Sequence, residues 1–201
     1  MFALIQAAGW PIWFLLAASV VAVTVIVERV LYLRPARILP PTLLDEVIAV
    51  VRAGPVDAQT IAQLEQNSPL GRVLAAGVRN LHAPRDVMKQ AIEEAGRATA
   101  HQLERYLTTL GTVATLAPLM GLFGTVVGMI ELFGAQEITG ANPVQVAHGI
   151  SVALYNTAFG LAIAMPSLMF HRHFHAQVDS LVIGMEQQAV HFVDASNGAR
   201  D

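Results

Sequence analysis

Apolar positions run without a charged side chain through residues 1–27, 106–130 and 138–171. Every Asp, Glu, Lys and Arg lies between or after these stretches. A helix needs about 20 mostly apolar residues to cross the hydrocarbon core of a bilayer. The pattern therefore predicts three transmembrane helices, over 11–33, 106–133 and 146–170. Between the first two, apolar positions recur at helical spacing. Leu43, Leu44, Val47, Ile48 and Val51 mark one face of a helix over 42–53, which Gly54-Pro55 ends. A short helix follows over 57–66. Ser68-Pro69 then reads as an N-cap with proline at the first position of a helix over 69–81. From Pro84 no strong breaker occurs before Pro118, so a single long helix is predicted from Pro84 to about Phe133. Residues 134–145 are expected to form an external loop, and 171–201 a helical tail. The expected fold is an all-α membrane protein with long helices extending into the cytoplasm.

Composition sharpens this picture. Of 201 residues, 54% are apolar and 13% charged, about half the roughly 25% charged content usual in soluble domains. That argues strongly against a soluble enzyme. A net charge of −3 without a clustered basic face gives no nucleic-acid footprint. The absence of cysteine excludes disulfides, thiolate metal sites and a thiol nucleophile. Nothing calls for a cofactor. The N-terminus lacks the basic segment of a secretory signal peptide, so the first stretch is expected to be a retained anchor.

Orientation follows from the basic residues. All 12 Lys and Arg fall within 28–105 or in the tail. Residues 1–10 hold none, and 131–148 hold none while carrying Glu131 and Glu137. The positive-inside rule then puts the 1–10 segment and the 134–145 loop outside, and 34–105 and 171–201 in the cytoplasm. Trp10 and Trp13 fall at the outer interface. Glu28 and Arg29 fall near the cytoplasmic end of the first span, where long side chains reach lipid headgroups.

The second and third spans each carry a stripe of small residues. At alternating steps of four and three, the second reads Ala114, Pro118, Gly121, Thr125, Gly128. The third reads Ala153, Thr157, Gly160, Ala164, Ser167. Each stripe lies on one helical face, and small residues let transmembrane backbones approach closely. Thr125 lies six residues from Glu131, about 9 Å along a helix, and Thr157 eight from Gly149, about 12 Å. The spans run in opposite directions, so the two hydroxyls arrive at similar depth. The commoner role of such stripes is packing, with hydroxyls bonded to their own or a neighbouring helix. A polar layer is the alternative, if both stripes face one space. Tyr155 and Asn156 add a polar cluster beside Thr157. Pro118 and Pro166 are expected kink sites.

No Asp, Glu, Lys, Arg or His occupies the middle of a span. Proton relays generally need an ionisable group there. If this chain conducts ions, the titrating carboxylate belongs to another subunit. His171 and His175 share a face at i, i+4, a metal-ligand spacing, but no third ligand accompanies them. A headgroup anchor is the preferred reading. His148 is read as an ordinary interfacial residue.

Leu116-Ala-Pro-Leu-Met-Gly-Leu-Phe-Gly-Thr-Val-Val-Gly-Met129 resembles the second-span signature of the MotA/TolQ/ExbB family. Ala153-Leu-Tyr-Asn-Thr-Ala-Phe-Gly-Leu-Ala-Ile-Ala-Met-Pro166 resembles its third-span signature. Three spans in 201 residues look like the ExbB or TolQ branches, and the third-span wording looks closer to ExbB. The resemblance implies a homo-pentamer around a dimer of a single-span partner, ExbD-like or TolR-like, whose span bears an aspartate. It implies a bacterial inner-membrane location and coupling of the proton gradient to a TonB-like protein. Envelope maintenance of the TolQ kind and a non-conducting membrane scaffold are the alternatives. Thr125 and Thr157 match the family's pore-facing threonines. Many relatives carry a glutamate near the external end of the third span, and this chain has Val152 there.

Overall fold

A computed structural model describes residues 9–139 and 143–197; the side chains of 135–139, 145, 148 and 197 lie outside that description. Glu137 and His148, used above for topology and interface, are therefore not described as side chains. The described residues form eight helices: α1 (Ile12–Tyr32), α2 (Pro35–Ile38), α3 (Leu43–Ala53), α4 (Ala58–Asn67), α5 (Pro69–Arg79), α6 (Arg85–Leu103), α7 (Leu107–Thr139) and α8 (Pro143–Asn197). Three helical stretches are long and apolar enough to cross a membrane: Ile12–Tyr32, one within Arg85–Gly134 and one within Gly149–Ser196. The chain divides into two compact units.

One unit combines the chain up to Glu28 with Tyr106–His173. Ile12, Leu15, Ala22 and Val25 are buried at helical spacing on α1. Leu15, Ala117 and Ala164 form the centre of its core, with Met120, Phe159 and Ile163 packed against them. The Trp10 ring meets Phe14 and Phe123 edge-on, at 5.9 and 6.0 Å between centroids. Outside this core the surface is apolar: Val20, Leu119, Ile130, Met165 and Met169 are all exposed. An apolar surface of that extent suits lipid or a partner helix and not water.

The other unit combines Arg29–Arg105 with the chain from Phe174 onward. Helix α5 lies at its centre, burying Leu70, Gly71, Val73, Leu74, Ala75, Gly77 and Val78. Phe174, Val178, Leu181, Met185, Ala189 and Phe192 of α8 are buried at steps of three and four. Gly77 gives the Phe192 ring its place, since a Cβ there would fall 2.6 Å from that ring. The Ser68-Pro69 start has the expected form: the Ser68 hydroxyl accepts from the Gly71 amide at 3.0 Å, with proline at the first turn. Asp57 caps α4 in the same way, accepting from the Thr60 amide at 3.0 Å. Pairs of Arg79 with Glu65 (2.7 Å) and Arg85 with Asp194 (2.8 Å) lie on its surface.

Three local expectations need correction. The single helix expected from Pro84 to Phe133 breaks at 104–106, between α6 and α7. Tyr106 takes φ +65°, the left-handed region, which costs a non-glycine residue about 1–2 kcal/mol. The second correction lies beside the break. Arg29 is not a headgroup-reaching side chain: it is 2% exposed, and its guanidinium donates to the Leu103 carbonyl at 2.9 Å and lies over the Tyr32 ring. A continuous helix would give that carbonyl to the amide of residue 107. Thirdly, the expected 134–145 loop is shorter. Helix α7 continues to Thr139 and α8 starts at Pro143, where proline suits the first turn. Both helices also run through their internal prolines, Pro118 and Pro166.

Candidate functional site

The two small-residue stripes meet within the chain. A Cβ on Gly121 would lie 2.7 Å from the Asn156 carbonyl oxygen and 3.0 Å from the Thr157 Cα. One on Gly160 would lie 2.5 Å from the Ala117 carbonyl oxygen and 3.1 Å from the Gly121 Cα. Gly128 faces the Ala153 methyl, at 3.3 Å from a built Cβ. At Gly121 and Gly160 only glycine permits this approach of backbones, as in small-residue membrane interfaces generally.

The seam keeps most members of the stripes read in sequence and shifts by one position at three places: Ala117 for Pro118, Gly124 for Thr125 and Asn156 for Thr157. On α7 its buried members are Ala114, Ala117, Gly121 and Gly124. On α8 they are Ala153, Asn156, Gly160, Ala164 and Ser167. Pro118, Gly128, Thr125 and Thr157 are half-buried. Sequence reading missed Ala117 and Gly124. The detectable signal was that they too are small and lie three residues from members of the chosen stripe. Asn156 is 1% exposed and sits over Gly124, where a Cβ would meet its side chain at 2.8 Å. Tyr155 is 37% exposed, so the expected Tyr155–Asn156 cluster divides between the surface and the seam.

The threonines stand at the edge of this seam and bond across it. Thr125 Oγ1 and Thr157 Oγ1 lie 2.5 Å apart. Thr125 Oγ1 also lies 3.1 Å from the Gly121 carbonyl oxygen and 3.3 Å from that of Ala153. A hydroxyl has one proton to donate and two lone pairs. Either hydroxyl can donate to the other; when the Thr125 proton goes to one of its two carbonyls, Thr157 donates to Thr125. The lone pairs of Thr157 then remain as acceptors for a proton donor. Thr125 also borders an open hollow with Val126, Met129, Ile130 and Phe133. The pair is thus a small polar point on an apolar wall, able to accept a hydrogen bond and unable to hold a charge.

Toward the other end of the hairpin, His171 lies against Gly111: a Cβ there would fall 2.9 Å from the imidazole Cε1. That replaces the headgroup-anchor reading for His171, which is turned into the hairpin. His173 is exposed. Among the described residues no three His, Asp or Glu side chains could share a metal ion. Val152 is half-buried and borders a cavity with Glu131 and Asn156.

The profile of the MotA/TolQ/ExbB proton channel family matches residues 65–187. A putative biopolymer transport protein, ExbB-like 3 of Synechocystis sp., is 32% identical over 167 residues, covering 81% of this chain and 79% of its own. The biopolymer transport protein exbB1 of Vibrio cholerae is 33% identical over 172 residues, 81% of this chain and 74% of its own. The Tol-Pal system protein TolQ of Haemophilus influenzae is 35% identical over 121 residues, 57% of this chain and 50% of its own.

Proposed function

The chain belongs to the MotA/TolQ/ExbB proton channel family, and on that premise we propose that it is an ExbB-type stator subunit of a bacterial inner membrane. Five copies surround a dimer of an ExbD-like partner whose single span bears an aspartate. On this reading the spans are 11–33, 106–133 and 146–170, and the distribution of Lys and Arg supports an outside N-terminus with the 34–105 and 171–201 segments in the cytoplasm. Proton flow past the partner's aspartate drives a rearrangement that a TonB-like protein passes to outer-membrane transport.

The observation that carries this reading is the Thr125–Thr157 hydroxyl pair, 2.5 Å apart in a hairpin with no ionisable side chain at its depth. A lone-pair acceptor on an otherwise apolar wall suits a neutral carboxylic acid or an ordered water. It offers nothing that could itself store the proton. The chain supplies walls, and the partner supplies the carrier. The ExbB reading rests on the third-span wording and on two ExbB-named relatives that match 81% of the chain, and a TolQ-type role is the alternative, since a TolQ relative matches 57% at 35% identity.

The test is Thr157→Val in the complete complex. The swap removes the hydroxyl and nearly keeps the shape. Gradient-driven uptake is expected to be lost while the assembled complex purifies intact with its single-span partner. Wild-type uptake in that variant would refute the role given to Thr157.

A further inference from the structure

A cavity of about 310 Å³ opens beside the seam, at the end of the hairpin that carries Glu131. Its wall includes Pro11, Gly128 and Glu131 on one side and Val152, Ala153 and Asn156 on the other. At about 30 Å³ per molecule, that volume holds about ten waters. A cavity stays dry when its walls are apolar and fills when polar groups line it. This one has a polar group at each end. Glu131 is exposed, and is the first ionisable residue of α7 after 24 apolar or neutral positions from its start. Asn156 is almost fully buried, and its neighbour in sequence is Thr157. The cavity therefore connects an exposed carboxylate with the level of the threonine pair.

We infer that this cavity is a hydrated antechamber, in which Glu131 gathers small monovalent cations, hydronium or hydrated sodium, for the path along the threonines. A carboxylate at the mouth of a cleft with low-dielectric walls raises the local cation concentration. Gly128 and Ala153 line the cavity with small side chains where the two helices come close. The inference rests on the proposed reading that the hairpin conducts.

The chain has no cysteine, so Val152→Cys introduces its single thiol. In the complete complex in oriented membranes, the probes are membrane-impermeant methanethiosulfonates bearing either a trimethylammonium or a sulfonate group. Both should react from the outer side. Relative to a small free thiol, the cationic reagent is favoured about sevenfold, the factor for opposite unit charges about 7 Å from a carboxylate at the dielectric of water. Adding Glu131→Gln should remove that preference, and Glu131→Gln alone should slow gradient-driven transport about threefold. Absence of reaction, a preference that survives Glu131→Gln, or unchanged transport in Glu131→Gln overturns the inference. The two readings fail separately. A transport-dead Thr157→Val beside an unreactive Val152→Cys removes the antechamber alone. Normal transport in Thr157→Val removes the conducting hairpin and the antechamber's role with it.

Discussion

Replacing Gly160 with alanine tests the seam most directly. Its added methyl would lie 2.5 Å from the Ala117 carbonyl oxygen and 3.1 Å from the Gly121 Cα. A comfortable C···O contact is about 3.3 Å. The helices must therefore part locally by about 0.8 Å, and backbone on both sides leaves no side chain to swing aside. Thr157 is three residues away, so most of that parting reaches the threonine pair. A 2.5 Å hydroxyl contact stretched to about 3.3 Å lies outside the range of O–H···O bonds. Overpacking of this kind costs about 1–3 kcal/mol, and a lost interhelical bond in a membrane about 0.6 kcal/mol. Alanine's better helix propensity returns up to about 1 kcal/mol. The net expectation is a destabilisation of about 1–3 kcal/mol and reduced coupled uptake. Gly134→Ala is the control on the same pair of helices, because nothing lies within 4 Å of a Cβ there. It should be neutral or slightly stabilising. Thermal unfolding of the purified complex followed by size-exclusion chromatography measures the first, and gradient-driven uptake the second. If Gly160→Ala matches Gly134→Ala in both, the close seam is not the packing arrangement in the membrane.

Two further outcomes concern the other unit. Ser68→Ala removes the hydroxyl that accepts from the Gly71 amide, and should cost about 1 kcal/mol of stability, read from a chemical-denaturation midpoint, while Ser68→Asn costs little. Asp57 is held below its usual carboxylate range, chiefly by its side-chain bond to Thr60. A group whose folded value is lowered contributes stability above its unfolded value of 3.8 and loses it as pH falls through the folded value. Melting of the α4 start should therefore be pH-dependent below about 4. In Asp57→Asn that dependence should vanish, as amide hydrogen exchange at Thr60 would report.

How much of this was legible in the sequence depended on the range of the interactions. Ser68-Pro69 and Asp57 act within one helical turn, so their residue types specify the caps. The three charge-free stretches and the small-residue stripes are also local patterns, and the helices carry them. The break at 104–106 was not legible, because the Leu103 carbonyl beside it is bonded by a side chain 74 residues away. Arg29 also has the composition of a headgroup-reaching side chain, and only its burial against Leu103 and Tyr32 separates the two roles. The seam's one-residue shift at three places was hidden for another reason. Ala117 and Pro118, Gly124 and Thr125, and Asn156 and Thr157 are adjacent pairs that all fit a period between 3.5 and 3.6. Residue size alone does not choose between them, and the choice is made by which backbone lies opposite.

That offset bears on how packing and the proposed path share one surface. Had Thr125 and Thr157 lain at the seam's centre, both hydroxyls would be enclosed between backbones and consumed by packing. At its edge they stay half-exposed while glycines and alanines beside them set their spacing. Gly121 takes part in both functions: its missing Cβ admits the Thr157 backbone, and its carbonyl lies within reach of the Thr125 hydroxyl. On the proposed reading, the polarity of the pair is therefore directed by the same contact that brings the helices together. Thr125 is turned toward a carbonyl, and Thr157 is left to accept. A charged residue in either place would carry a desolvation cost of several kcal/mol in the membrane and would need a fixed partner. Neutral hydroxyls avoid that cost in every state of a cycle. On the proposed reading, the acceptor they offer meets another subunit's carboxyl group directly while it is protonated, and through an ordered water once it is ionised.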